Sequence, residues 1–114
     1  MSTISTHVLD TARGCPAAGV SVTLEQHDST GQWHVVGRGD TDKDGRIGTL
    51  LSGDAVLVPG EYRLTFATRE YFQATGVTAF YPAVTVTIEA LVGQTHYHVP
   101  LLLSPFGYST YRGT

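Results

Sequence analysis

The chain has 114 residues, the size of one ordinary domain, of which 41% are hydrophobic and only 15% charged. A net charge of −3, with seven scattered Lys and Arg residues, argues against nucleic acid as a partner. No apolar run approaches the roughly 20 residues needed to span a membrane, and the N-terminus lacks a signal-peptide pattern. The single cysteine suits a reducing compartment. We therefore expect one domain, residues 1–114, in the cytoplasm.

The first predicted strand runs from Ile4 to Asp10 and alternates in polarity. Ile4 and Val8 are expected to face the core, so His7 projects from the opposite face beside Leu9. A solvent-exposed histidine is the simpler interpretation. The position of His7 opposite a core face leaves a functional role open.

Two further strands are predicted at Val20 to Glu25 and at Gln32 to Arg38. Turn residues between them indicate a hairpin. The alternation of the second strand predicts that Trp33 lies in the core, whereas His27 and His34 are expected to face solvent.

The segment Asp40 to Gly45 has the D-x-D-x-D-G opening of a calcium-binding loop. The twelfth position of such a loop needs a bidentate glutamate, but here it is Leu51, and no long helix flanks the segment. We therefore expect an acidic turn in which Gly45 adopts a positive φ. The turn leads into Arg46, whose side chain it can orient.

The middle of the chain contains the one credible helix, Thr68 to Gly76. Thr68 is the predicted N-terminal cap, and Gly76 is expected to end the helix. Alternating strands are predicted on either side, one opening at Gly60 and one from Val84 to Ile88.

The C-terminal stretch predicts a hairpin, with a strand from Thr95 to Leu103, a turn at Ser104 to Gly107 and a return strand from Tyr108 to Arg112. The alternation of its first strand places one set of side chains in the core and another set opposite, namely Tyr97, Val99, Leu101 and Leu103 against His96, His98, Pro100 and Leu102. The whole pattern of seven to eight short strands with one short helix predicts an all-β sandwich.

A metal site is an alternative for the histidines, because His96 and His98 share a strand face and could join His7 as three zinc ligands. No carboxylate has a matching spacing. Cys15 has no histidine or carboxylate at motif spacing, so we interpret it as a loop or packing residue.

Four stretches of the chain carry a family resemblance: ISTHVLDTARGCPA, TDKDGR, FYP and HYHVPLLLSPFGYSTYRGT. Together they resemble the 5-hydroxyisourate hydrolases, the transthyretin-like enzymes of urate breakdown. The resemblance implies a transthyretin-like sandwich. It also implies a homotetramer, a dimer of dimers with its sites between the dimers.

The resemblance further implies a catalytic set without metal or cofactor. Matched onto this chain, the set is His7, Arg46, His98 and the C-terminal Tyr111 to Thr114. The family commonly has serine where this chain has Thr114, so a hydroxyl is retained with one additional methyl group.

These residue types suit hydrolysis of a ring amide in 5-hydroxyisourate, the small-molecule substrate that the resemblance implies. We hypothesise that His98, together with His7, positions and deprotonates a water molecule, and that Arg46 stabilises the oxyanion. Tyr111 and Thr114 are expected to contact the substrate. Which histidine is the base stays open.

The rival hypothesis is a non-catalytic small-molecule carrier like transthyretin, and a structural sandwich module is a third. Neither needs the polar set, which this chain keeps.

Overall fold

The computed structural model describes residues 3–53 and 55–114. These form two β-sheets and one helix. The elements are β1 Thr3–Asp10, β2 Cys15–Pro16, β3 Ser21–His27, β4 Trp33–Asp40, β5 Arg46–Ile47, β6 Gly60–Phe66, α1 Thr68–Ala74, β7 Val84–Ala90, β8 His96–Ser104 and β9 Gly107–Thr110. The predicted sandwich of short strands is confirmed, with two of its strands only two residues long.

The first sheet has the order β2-β1-β8-β9, with β5 also pairing with β1, and the second has the order β4-β3-β6-β7. In the first sheet β1 and β8 are parallel, and their register pairs Ser5 with His98 and His7 with Pro100. The two histidine-bearing strands, which lie at opposite ends of the sequence, are therefore neighbours at the centre of one sheet.

The core lies between the two sheets and is built from the predicted alternating positions. Ile4 and Val8 of β1 are fully buried, as are Leu101 and Leu103 of β8. The facing sheet supplies the buried side chains of Val22, Leu24, Tyr62, Leu64 and Phe66. The faces of β1 and β8 that carry histidines therefore point away from the core.

Trp33 is not in the core, so that prediction is wrong. The pairing of β3 with β4 shifts between Leu24 and Glu25, and Val36 is the extra residue of this β-bulge. The shift moves Trp33 to the outer face of the sheet, where its ring lies 4.6 Å from that of His27. A local insertion has reversed the alternation on which the prediction depended.

The helix is present, but Thr68 is not its cap. Ala67 occupies the cap position without a side-chain hydrogen bond, and Thr68 is the first helical residue. Its side chain is fully buried and its hydroxyl has no partner in the described part of the chain. The helix end is as predicted, because Gly76 has a φ of +74° and its N–H donates to Gln73 O at 3.1 Å.

Helix α1 is attached to β1 by a buried polar contact. The Tyr71 hydroxyl donates to Asp10 Oδ2 at 2.7 Å, and Asp10 is 1% exposed. Burial, with the hydrogen bond to Asp10, raises the pKa of Tyr71 to about 12.

Within the described residues, no helix is long and apolar enough to cross a membrane.

Candidate active site

A polar cavity of about 270 Å³ opens on the outer face of the first sheet. Its walls come from β1, β5, β8 and the C-terminal segment. The lining residues are Ser5, Thr6, Arg46, Ile47, Gly48, His96, His98 and Thr114. Three of the predicted site residues, Arg46, His98 and Thr114, thus meet at one cavity.

Arg46 is placed by the acidic turn that precedes it. Asp42 Oδ1 accepts the N–H groups of Asp44 at 2.9 Å and of Arg46 at 3.0 Å. These hydrogen bonds lower the pKa of Asp42, and the bond from the Arg46 N–H contributes most. Gly45 has a φ of +77°, and a Cβ there would lie 2.4 Å from Val8 O. The carboxylate of Asp42 therefore serves to fold the turn.

Arg46 and His7 are direct partners across the β1–β5 ladder. Arg46 is exposed, and His7 is half-buried on the same face of β1 as Ser5. His7 does not line the cavity, although its charge contributes to the lowered pKa of His98. The structure thus places His7 near the cavity, beside Arg46.

The ring of His98 is held on two sides. Its Nδ1 lies 2.8 Å from Ser5 Oγ, while its Cδ2 would be only 2.4 Å from a Cβ on Gly113. Burial is the first cause of a lowered pKa of His98, and the charges of Arg46, His7 and His96 act in the same direction. His98 is consequently a neutral imidazole near pH 7.

The C-terminal segment closes one side of the cavity. Strand β9 ends at Thr110, earlier than the predicted Arg112, because its next partner in register is Pro100, which has no N–H to donate. Pairing resumes where Gly113 N–H donates to His98 O at 2.9 Å. This bond places Thr114 at the cavity.

Tyr111 lies outside this cavity. It is 58% exposed and borders a separate apolar groove of about 280 Å³ between β7 and the C-terminal segment. The guanidinium of Arg112 also points elsewhere, 4.9 Å from the ring of Tyr97. Within one chain the predicted site residues therefore lie around two neighbouring depressions, and His98 lines both.

The described ranges contain no group of three or more His, Cys, Asp or Glu side chains that could together bind a metal ion. His96 does line the cavity, but its Nδ1 contacts the hydroxyl of Thr3. Cys15 is a partly buried free thiol in β2.

Ser5, whose hydroxyl contacts His98 at the site, was not singled out from the sequence. Ser5 precedes His7 by two residues and so shares its strand face, which is a signal readable from alternation. Its pairing with His98 depends on the parallel register of β1 and β8, which alternation does not specify. The close approach of Gly113 to His98 likewise depends on tertiary structure.

A transthyretin-like β-sandwich with a polar cavity on one sheet is the class that this fold and site define. The chain belongs to the HIUase/Transthyretin family, whose model matches residues 4–113. The predicted family is thereby confirmed.

The similar proteins include both 5-hydroxyisourate hydrolases and transthyretins. The chain is 46% identical over 111 residues to a 5-hydroxyisourate hydrolase of Salmonella dublin, covering 97% of this chain and 80% of the relative. Among solved structures it resembles Klebsiella pneumoniae 5-hydroxyisourate hydrolase, with 36% identity, full coverage of both chains and a TM-score of 0.85. It also resembles sea bream transthyretin in complex with thyroxine, with 33% identity, 98% and 95% coverage and a TM-score of 0.91.

Proposed function

We propose that the protein is a 5-hydroxyisourate hydrolase of urate degradation, opening the ring amide of its substrate to give 2-oxo-4-hydroxy-4-carboxy-5-ureidoimidazoline. The observation that carries the proposal is the meeting of Arg46, His98 and the C-terminal Thr114 at one polar cavity. The curated relatives named 5-hydroxyisourate hydrolase support the same activity.

The proposed chemistry uses the charges and hydrogen-bonding groups at the cavity, without metal or cofactor. Arg46 orients the polar ring of the substrate and stabilises the oxyanion that forms on the attacked carbonyl. The imidazoles of His98 and His7 face the reacting amide, and one of the two accepts a proton from the attacking water. Thr114 is a further catalytic group through its hydroxyl, which contacts the substrate.

His7 and Tyr111 are retained in the substrate-binding set on the basis of the family resemblance. The support for His7 is its pairing with Arg46 in the β1–β5 ladder. Tyr111 borders the adjacent groove, and its exposed ring is accessible to a ligand or to a second copy of the chain.

The proposed assembly is a homotetramer, a dimer of dimers with the sites at the dimer–dimer interface. Strands β7 and β9 form the edges of their sheets and have unpaired backbone groups. The groove between them is lined by apolar side chains that include Val86 and Ile88. These features favour pairing with a second copy by a two-fold axis. Sedimentation velocity of the active protein should give a tetramer, and an active monomer would reject this part of the proposal.

Residues 1–114 form a single transthyretin-like hydrolase domain in this proposal. We also propose a cytoplasmic location, which the free thiol of Cys15 supports because cytosolic thiols are kept reduced. Nucleic acid and membranes are not among the proposed partners.

The alternative is a non-catalytic small-molecule carrier. One observation supports the carrier. The TM-score to sea bream transthyretin is 0.91, which is higher than the TM-score of 0.85 to the Klebsiella pneumoniae hydrolase. A carrier has no need of His98 and Arg46, so the two functions differ in what these residues do.

The experiment generates 5-hydroxyisourate in situ with urate oxidase and follows its ultraviolet absorbance. We expect the protein to accelerate the decay, and His98→Ala and Arg46→Ala each to abolish most of the acceleration. His34→Ala and Arg38→Ala are matched controls, because they remove an exposed imidazole and an exposed guanidinium from β4 of the opposite sheet. Decay no faster with the protein than in buffer would reject the enzyme and favour the carrier.

A further inference from the structure

Ser5 occupies a specific place beside the site. It is only 8% exposed, and it is the register partner of His98 across the parallel β1–β8 pairing. Its Oγ lies 2.8 Å from Nδ1 of His98. The serine hydroxyl is thus in direct contact with one nitrogen of the His98 ring. The other nitrogen, Nε2, is left to interact with the substrate.

The direction of this hydrogen bond follows from the surroundings of the hydroxyl. In residues 3–53 and 55–114 the Ser5 hydroxyl has no other hydrogen-bond partner. Because this hydroxyl belongs to a largely buried residue and Nδ1 of His98 is its one hydrogen-bond partner there, we expect it to donate its proton to Nδ1. A neutral imidazole that accepts at Nδ1 carries its own proton on Nε2.

The opposite edge of the ring limits its rotation. Gly113 lies so close that a Cβ there would be 2.4 Å from Cδ2 and 3.1 Å from Cγ of His98. Turning the ring over would bring Cδ2 against Ser5 and lose the bond to Nδ1. The ring is therefore held in one orientation by contacts on both edges.

We propose that Ser5 is a positioning residue that holds neutral His98 in its Nε2–H form, so that His98 donates a hydrogen bond to the substrate carbonyl oxygen. The inference rests on the proposed hydrolysis and assigns a role within it. A carboxylate in place of Ser5 would do the reverse, because it would accept from Nδ1–H and leave Nε2 as a base.

The proton transfers then fall to His7. Its imidazole takes a proton from the attacking water as the C–O bond forms, and passes that proton to the ring nitrogen of the substrate as the C–N bond breaks. Neither His98 nor Ser5 changes its proton count. Burial and the charges of Arg46, His7 and His96 lower the pKa of His98, which keeps its ring neutral near pH 7.

The direct test determines which of the two ring nitrogens of His98 carries the proton in the intact protein. A long-range proton–nitrogen correlation spectrum of ¹⁵N-labelled protein, recorded near neutral pH and assigned with His98→Gln, identifies the protonated nitrogen. We expect it to be Nε2 in the wild type, with a mixture of both forms in Ser5→Ala. Protonation at Nδ1 in the wild type overturns the inference, as does an unchanged spectrum in Ser5→Ala.

The kinetic test separates this inference from the proposed function. Ser5→Ala is expected to lower kcat about ten- to hundredfold with a smaller change in KM, since it disturbs the orientation of a group next to the reacting atoms. Ser5→Thr retains the hydroxyl and should restore most of kcat. Ser21→Ala, which removes an exposed hydroxyl from β3 of the other sheet, is the control.

The outcomes are distinguishable. If Ser5→Ala has the kcat of the wild type, Ser5 has no positioning role. If the wild type does not accelerate decay, the proposed function fails, while the nitrogen spectrum still decides whether Ser5 fixes the form of His98.

Discussion

Replacing Gly113 with alanine tests whether the C-terminal segment fixes the ring of His98. The added Cβ would lie 2.4 Å from Cδ2 of His98 and 3.1 Å from Cγ of Pro100. Favourable carbon–carbon contact requires about 3.5 Å or more. Either the imidazole or the segment that carries Thr114 must therefore move by about 1 Å.

A displacement of this size has a large expected effect on catalysis and a small one on folding. A shift of about 1 Å at a catalytic group can cost on the order of 100-fold in rate. For stability, the bond at risk is Gly113 N–H to His98 O, at 2.9 Å. Loss of one such bond costs about 0.5–1.5 kcal/mol of unfolding free energy.

The assay combines the ultraviolet decay of 5-hydroxyisourate with urea unfolding of the same variant. Gly107→Ala is the matched control, because Gly107 lies in the same hairpin, lacks a positive φ and would place its Cβ 3.7 Å from the Ser104 hydroxyl, an ordinary contact. A Gly113→Ala protein with wild-type kcat would refute the reasoning that this contact positions His98.

Three further predictions concern stability. Tyr71→Phe removes the donor to buried Asp10 and should lower the unfolding free energy by about 1.5–3 kcal/mol in urea titrations; a neutral result would contradict the structural role of this contact. Trp33→Ala should cost clearly less than Phe66→Ala, for which about 3–5 kcal/mol is expected, because only Phe66 is fully buried. Because the folded pKa of His98 lies below its ordinary 6.5, the unfolded chain binds more protons, so stability should fall as the pH drops below about 6.5. His98→Asn should show a smaller fall in the same acid titration, and an equal fall would exclude this cause.

Alternation predicted which faces of β1 and β8 are buried, because residues two apart on a strand share a face. It placed Ile4, Val8, Tyr97 and Leu101 correctly in the core. The same rule failed at Trp33, where one extra residue in β4 reverses the faces. Such a bulge depends on how β4 pairs with β3. The sequence of β4 alone does not determine that pairing.

The site was predicted only in part for a similar reason. The turn chemistry before Arg46 can be read locally, since Asp42 and Gly45 define the bend. The contact of Ser5 with His98 joins residues 93 positions apart through a parallel register. No local pattern specifies that register, and family resemblance supplied the set of residues but not their contacts.

The most direct test of the central claim is the decay rate of enzymatically generated 5-hydroxyisourate with the wild-type protein and with His98→Ala. The account predicts rapid decay with the wild type and decay close to that in buffer with the variant, which should keep the circular dichroism spectrum of the folded protein. A folded His98→Ala protein as fast as the wild type, or a wild type no faster than buffer, would contradict it.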